Sequence, residues 1–381
     1  MTESPLDELA ISAINILQSY LSLEGFSAHV HFELEGCVST SSQQTISIDF
    51  SAINKQIAAR GIEGQLVPEY WKNQWEYVSL FAGQSPLKEA HNLTKIIDIL
   101  PLLFKQQGIH EVLIHPVIWN GDQVQLLQGS KSIFQGLNKA IHIPNAIQIN
   151  VSISDDNGEN LVANSLLGEY IQQCFIETSY ANAILFLPEQ DAYERLRLKA
   201  DFGLNDELCS PTDISGGHQG SIALYRQYGK HNQILGENVL IVNHLNEPLV
   251  KHINWQKEAR VEHRLGASSL HYNAYINVVF ALLNVIDAVS LFKDKDQQGI
   301  LAIPPQPLPS SLFDNDKGKG AYTLFKEDLW FEDSLNGIEK QMLADKTCQP
   351  LNLGSKIKQA ILDKYQNKKI VLANSTRTDI N

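Results

Sequence analysis

The chain has 381 residues, of which 43% are hydrophobic and 19% charged, so it can bury a sizeable core and is not a disordered polymer. With 30 Lys+Arg against 43 Asp+Glu the formal charge is −13, which repels phosphate backbones, and no run of five basic residues offsets it. Nucleic acid is therefore not expected as a partner. The four cysteines, Cys37, Cys174, Cys209 and Cys348, form no CxxC pair, which argues against a disulfide scaffold or zinc ribbon and points to a reducing, cytoplasmic setting.

The N-terminal stretch has no basic region ahead of its apolar residues. It reads as a helix over 5–23, capped by Ser4 before Pro5, and not as a signal peptide. Residues 26–34 alternate and predict a strand, with His29, His31, Glu33 and Glu35 on one face. A short strand is expected over 45–50, a helix over 52–59 and a strand over 74–80. A long amphipathic helix over 86–107 is closed by Gly108. A strand follows near Val112–Pro116, and residues 119–143 read as a polar, glycine-punctuated insertion. Residues 146–154 alternate cleanly, placing Gln148, Asn150 and Ser152 on one face before the turn Asp155-Asp156-Asn157-Gly158.

A helix is expected over 166–187 and another over 191–196. Short strands follow at 221–225, 239–242 and 259–265. The apolar run from Tyr275 to Phe292 is interrupted by Asn277, Asn284 and Asp287, so it predicts a buried helix and no membrane span. A proline-rich connector precedes two helices, near 331–343 and 354–366, in a C-terminal helical part over 310–370. Mixed strands and helices with hairpin-like pairs predict an α+β fold around a mainly antiparallel sheet.

Three pieces could carry chemistry. Glu69 and Glu76 flank the segment EYWKNQWE. Gln148, Asn150 and Ser152 share a strand face, as do Glu262 and Arg264. Acidic groups converging on a sheet suit Mg²⁺ or Mn²⁺, and two such ions can bridge nucleotide phosphates. Each piece also has a plainer reading. Glu69 and Glu76 could be exposed glutamates, and Glu262 and Arg264 an ion pair that neutralises itself. His29 and His31 could be hydrogen-bonded strand histidines or ligands of a softer ion such as Zn²⁺, and Arg195 a surface arginine.

The order of these pieces resembles the catalytic domain of glutamine synthetase. Val67-Pro68-Glu69 through Gln74-Trp75-Glu76 looks like the family's E-x-M-P-x-Q-W-E segment. Residues 147–160 look like H-x-H/N-x-S-L-x-x-x-x-G, and Asp191 to Leu196 like N-S-Y-K-R-L. Glu262-His263-Arg264 followed by Tyr272-Asn273-Ala274-Tyr275 is similar to E-x-R followed by N-P-Y. The likeness implies one catalytic-domain-like unit over 1–381, with a curved antiparallel sheet backed by helices. It implies ATP with Mg²⁺ or Mn²⁺, phosphorylation of an acid such as glutamate to an acyl phosphate, and displacement by an amine. Carried over, Glu69, Glu76, Glu262 and Gln148 are metal-site residues. Arg195 and Arg264 are arginines for substrate or phosphoryl group, and Asn150, Ser152 and Arg226 are nucleotide-side residues.

The departures are specific. His29 and His31 fall where the family has carboxylates, unless the match slides by four residues onto Glu33 and Glu35; both pairs share one face. Gln148 replaces a metal-binding histidine. Gln219 stands where an arginine that meets nucleotide phosphates would be, leaving Arg226. About 25 residues precede the first strand, which leaves no room for the family's small β-grasp domain, so its usual ring is not expected, although another homo-oligomer stays open. The two functions to weigh are a carboxylate–amine ligase acting on small-molecule acid and amine, and a non-catalytic relative that binds a small molecule or a partner subunit.

Overall fold

The computed structural model describes residues 4–39, 47–69, 73–80, 83–118, 143–200, 222–226, 229–230, 259–294, 307–344 and 349–378. The chain begins with α1 (Pro5–Leu23), whose N-terminus is a capping box: Ser4 and Asp7 each bond the other's backbone N–H. The strand β1 (Phe26–Ser39) follows. Next come α2 (Phe50–Ala59), β2 (Gly64–Pro68), β3 (Gln74–Ser79) and α3 (Pro86–Lys105). The strand expected over 45–50 does not form at its described residues. Asp49 accepts from the Ala52 N–H and starts a helix there instead, the usual work of an aspartate N-cap.

Short β4 (Glu111–Leu113), β5 (Val117–Ile118) and β6 (Ile143–Pro144) lead to β7 (Ile147–Asp155). The expected insertion falls between β5 and β6, which pair with each other; residues 119–142 lie outside the described residues. The single helix expected over 166–187 is broken. A single turn, α4 (Leu161–Asn164), precedes it, the expected span forms α5 (Leu167–Ser179) and α6 (Ala183–Phe186), and α7 (Gln190–Ala200) follows. After β8 (Ile222–Arg226), β9 (Gly229–Lys230) and β10 (Arg260–His263) comes α8 (Ala274–Lys293). The strand expected over 239–242 lies outside the described residues. The C-terminal part holds α9 (Ala321–Glu327), α10 (Trp330–Leu343) and α11 (Leu353–Thr378).

The sheet runs β2-β3-β1-β7-β10-β8-β9, with β4 also on β1, and each pairing is antiparallel. This is the α+β architecture expected. One face is apolar: Val30, Phe32 and Leu34 of β1 and Ile149, Val151 and Ile153 of β7 are buried in the core. Helices α1, α3 and α5 pack around α8, which is buried along nearly all its length. Among the described residues α8 is long and apolar enough to cross a membrane, yet it sits inside the fold. Its polar residues are bonded internally. The Asn277 Nδ2 donates to the Leu185 carbonyl at 2.9 Å, and Asn284 Oδ1 accepts from Thr178 Oγ1 at 2.8 Å. The other sheet face is polar, and it carries the candidate site.

A face of converging carboxylates

Directly opposed strand residues point to the same side of a sheet. The register places Glu35 opposite Glu76, Glu33 opposite Gln148, His31 opposite Asn150, and His29 opposite Ser152. Glu262 lies opposite Asn150 on the far side of β7. The β2–β3 hairpin carries Glu69 to that side too: Val67 pairs with Glu76, and the Glu69 N–H donates to the Gln74 carbonyl at 3.2 Å. Asn73 closes this hairpin at φ 69°, a left-handed conformation that asparagine tolerates. Glu33, Glu35, Glu69, Glu76 and Glu262 thus converge from four strands or strand ends, 229 sequence positions apart at the extremes by residues 33 and 262.

The carboxylates feel one another. Burial pushes Glu33 up to about 7, with the Glu262 carboxylate adding to the rise and Arg260 and Arg264 opposing it. Burial raises Glu69 to about 8, helped by Glu35 and Glu33. Glu76 is raised well above the ordinary range, first by burial and then by Glu33, Glu69, Glu35 and Glu262. Such a field favours protons or cations on the face.

Two arginines answer it on one side. Arg264 Nε lies 2.9 Å from Glu262 Oε1, and Arg260 Nη2 lies 3.7 Å from Glu262 Oε2. Burial opposes the charge of Arg264, but Glu262 and other neighbours hold it above its ordinary value. Arg260 also stacks over the Tyr225 ring at 4.5 Å and donates from Nε to Asn150 Oδ1 at 2.8 Å. Asn150 in turn donates to Glu33 Oε1 at 3.2 Å, so it links the arginine side to the carboxylate side. Arg260 was not among the residues singled out in the sequence, although Arg260, Glu262 and Arg264 alternate and so share a face.

The histidines sit on the same face but are engaged elsewhere. His29 contacts the Gly83 carbonyl at 3.1 Å and Ser154 Oγ at 3.0 Å. His31 Nδ1 contacts the Leu80 carbonyl at 3.1 Å, and burial with nearby Arg260 lowers it to about 3. Glu33 and Glu35 are the β1 residues in electrostatic reach of Glu69 and Glu76. Glu35 also accepts the Ala146 N–H at 2.8 Å. Arg195, on α7, is buried and donates to the Leu265 carbonyl at 3.5 Å, one residue beyond Arg264. Arg226 ends β8 opposite Gly229; its side chain and Gln219 lie outside the described residues. His263 faces the opposite way, bonded to Ser179 Oγ at 3.0 Å among Phe175, Phe186 and Phe280.

Gln148 supplies a test of whether a cation suits the face. It is buried, lies opposite Glu33, and its Oε1 has no hydrogen-bond donor. An orphaned amide oxygen beside carboxylates is a hard-cation ligand in waiting. Among the described residues, however, no three His, Cys, Asp or Glu side chains are gathered as a finished metal centre. The donor types, carboxylates and an amide oxygen, are those that Mg²⁺ or Mn²⁺ takes.

No protein-family model matches the chain, and no curated protein matches it either. Solved structures do. A novel glutamine synthase homolog aligns over 92% of this chain and 74% of its own, at 14% identity and TM-score 0.55. A GmaS protein in complex with ADP aligns over 94% of this chain and 74% of its own, at 12% identity and TM-score 0.58. Glutamine synthetase of Plasmodium falciparum aligns over 94% and 77%, at 13% identity and TM-score 0.55. The chain therefore has a glutamine synthetase-like fold over nearly its whole length.

Proposed function

We propose that this protein is a divergent ATP- and Mg²⁺- or Mn²⁺-dependent ligase that joins a small acid, glutamate or a relative, to an amine. The observation that carries the reading is the carboxylate face, lifted off the sheet by strand register and short of positive charge around Glu69 and Glu76. One neighbour of the same fold was solved with ADP, which supports nucleotide use on this scaffold.

In this reading Glu69 and Glu76, with Glu33 and Glu35 beside them, hold one cation; Gln148 and Glu262 contribute to a second. The ions would offset the charge of ATP and of the phosphoryl group in transit. The γ-phosphoryl group passes to an oxygen of the acid's carboxylate and ADP leaves. The amine then attacks the acyl carbon, and inorganic phosphate departs as the amide forms. Arg264 and Arg260 are placed to hold an anionic substrate, since guanidinium forks match carboxylate and phosphate geometry. Arg195 positions the backbone after Arg264. Asn150, Ser152 and Arg226 belong to the nucleotide side. His29 and His31 shape the far end of the face.

One observation favours the alternative, a non-catalytic binding protein. Glu262 is flanked by two arginines, so its charge is already answered without a metal. Calorimetry separates the two. ATP titrated in the presence of Mn²⁺ should bind saturably to the native chain, and Glu69→Ala/Glu76→Ala should abolish the metal-dependent part. Phosphate release that requires both glutamate and an amine would establish turnover. The absence of metal-dependent nucleotide binding would defeat the ligase reading.

A further inference from the structure

Positive charge is spread unevenly over the carboxylate face. On β10 both oxygens of Glu262 already meet a guanidinium, Oε1 that of Arg264 at 2.9 Å and Oε2 that of Arg260 at 3.7 Å. Arg260 is buried and held from several directions. The ring of Tyr225, opposite it on β8, lies 4.5 Å from the guanidinium, and Nε donates to Asn150 Oδ1 at 2.8 Å. Asn150 carries the link on to Glu33 Oε1 at 3.2 Å. The guanidinium is thus fixed between Glu262 and Asn150, with Glu33 one hydrogen bond further on.

A second divalent ion on this face needs the same place. The oxygens on offer to it are those of Glu262, Glu33 and Gln148, and Glu262 is the one that two arginines hold. Gln148 Oε1 is buried with no donor, so a place for an ion persists, but an amide oxygen is neutral and adds no charge to attract one. An entering ion must draw Glu262 from Arg260 or sit beside its charge. An opposite charge next to a carboxylate changes its hold on a proton by about one to three powers of ten, and a metal ion competing for the same oxygens is opposed in the same way. The hairpin side is the reverse case. Among the described residues no Lys or Arg lies within ion-pair distance of Glu69 or Glu76.

We propose that Arg260 is a cation built into the chain, standing where a second divalent ion would bind. The face then takes one divalent ion tightly, at Glu69 and Glu76, and a second only weakly, at Gln148 and Glu262. Arg264 meets Glu262 directly, whereas Arg260 is also joined through Asn150 to Glu33, so it links two acids as a bridging ion does. The proposal rests on the ligase reading in taking the carboxylate face as a cation site, and it sets that site's metal requirement. One of the two positive charges is covalent and present at any metal concentration, so a single added ion completes the face.

Mn²⁺ titrated into the full, metal-free chain, with the free ion read from its electron paramagnetic resonance signal, tests this. The native chain should bind one ion tightly and a second at least about tenfold more weakly. Arg260→Gln should tighten the second about tenfold and leave the first unchanged. Arg260→Lys keeps the charge and should behave as the native chain, which a merely structural role for the guanidinium would not give. Glu262→Gln added to Arg260→Gln should remove the second ion. The proposal is overturned if the native chain binds two ions of equal affinity, if Arg260→Gln, folded by circular dichroism, leaves the second as weak as before, or if Arg260→Lys tightens it as much as Arg260→Gln does. One tight ion without metal-dependent nucleotide binding would support the built-in cation and defeat the ligase reading; two equal ions with such binding would do the reverse. No bound ion on native chain or variant would overturn both.

Discussion

Replacing Glu69 by Gln removes one carboxyl from the crowded face and keeps its shape. In metal-free buffer the folded chain holds Glu69 protonated up to about pH 8, because burial and the neighbouring Glu35 and Glu33 resist its ionisation. The unfolded chain ionises there near 4.5. Folding therefore takes up a proton between these values. The stability that Glu69 contributes is fully present below about pH 4.5 and is lost as pH rises through 8. At ~1.4 kcal/mol per pH unit, with a discount for partial exposure, ionisation costs roughly 2–4 kcal/mol by pH 8. Glutamine does not ionise. Glu69→Gln should therefore be more stable than the parent by that amount at pH 8 in EDTA, and by less than about 1 kcal/mol at pH 5. For a chain of this length, an unfolding entropy of ~2 cal/mol/K per residue turns the difference into a Tm rise of roughly 3–5 °C. Scanning calorimetry at the two pH values measures it. A variant less stable at pH 8, or equally stabilised at both, would refute the electrostatic picture of the face. If the face holds a cation, saturating Mn²⁺ should reverse the order, raising the parent's Tm more than the variant's.

His263→Phe should flatten the loss of stability on acidification. Burial holds His263 near 3 against 6.5 for the free group, so its contribution is present above pH 6.5 and declines toward pH 3, by about 2–3 kcal/mol between 6.5 and 4.5. Parallel melts of parent and variant across that window check this. Gly36→Ala should lower Tm by about 1–4 °C, because a Cβ there would lie 2.3 Å from the Trp75 ring and overpacking costs about 1–3 kcal/mol. Gly266→Ala should be worse, since its Cβ would meet the Ile147 carbonyl oxygen at 2.4 Å, and backbone cannot rotate away. Asn150→Leu should destabilise by about 1–3 kcal/mol, as Arg260 Nε and Glu33 Oε1 lose a shared partner; chemical denaturation would show it.

Much of the fold was legible because the sheet is written in period two. Phe32 and Leu34 alternate with His31 and Glu33, and Ile149 and Val151 with Gln148 and Asn150, so strand and buried face can be read together. The apolar length of α8 was equally plain. The helix break near Tyr180-Ala181-Asn182 was not, since apolar residues continue on both sides and the interruption is set by packing. Nor was α2's early start, where a single Asp49 cap overrode residues that favour a strand. At the site, periodicity put His29, His31, Glu33 and Glu35 on one face but could not choose among them. In the structure the β2–β3 hairpin brings Glu69 and Glu76 beside Glu33 and Glu35, while the histidines contact the Gly83 and Leu80 carbonyls.

Strand β1 serves two masters at once. Every odd residue from His29 to Glu35 faces the polar side, and Val30, Phe32 and Leu34 between them anchor the core. Inserting or deleting one residue here would send Phe32 among charges and Glu33 into oil. Descendants of this chain can therefore vary that strand letter by letter, whereas its length is frozen, and changes of length must accumulate elsewhere, beyond its ends.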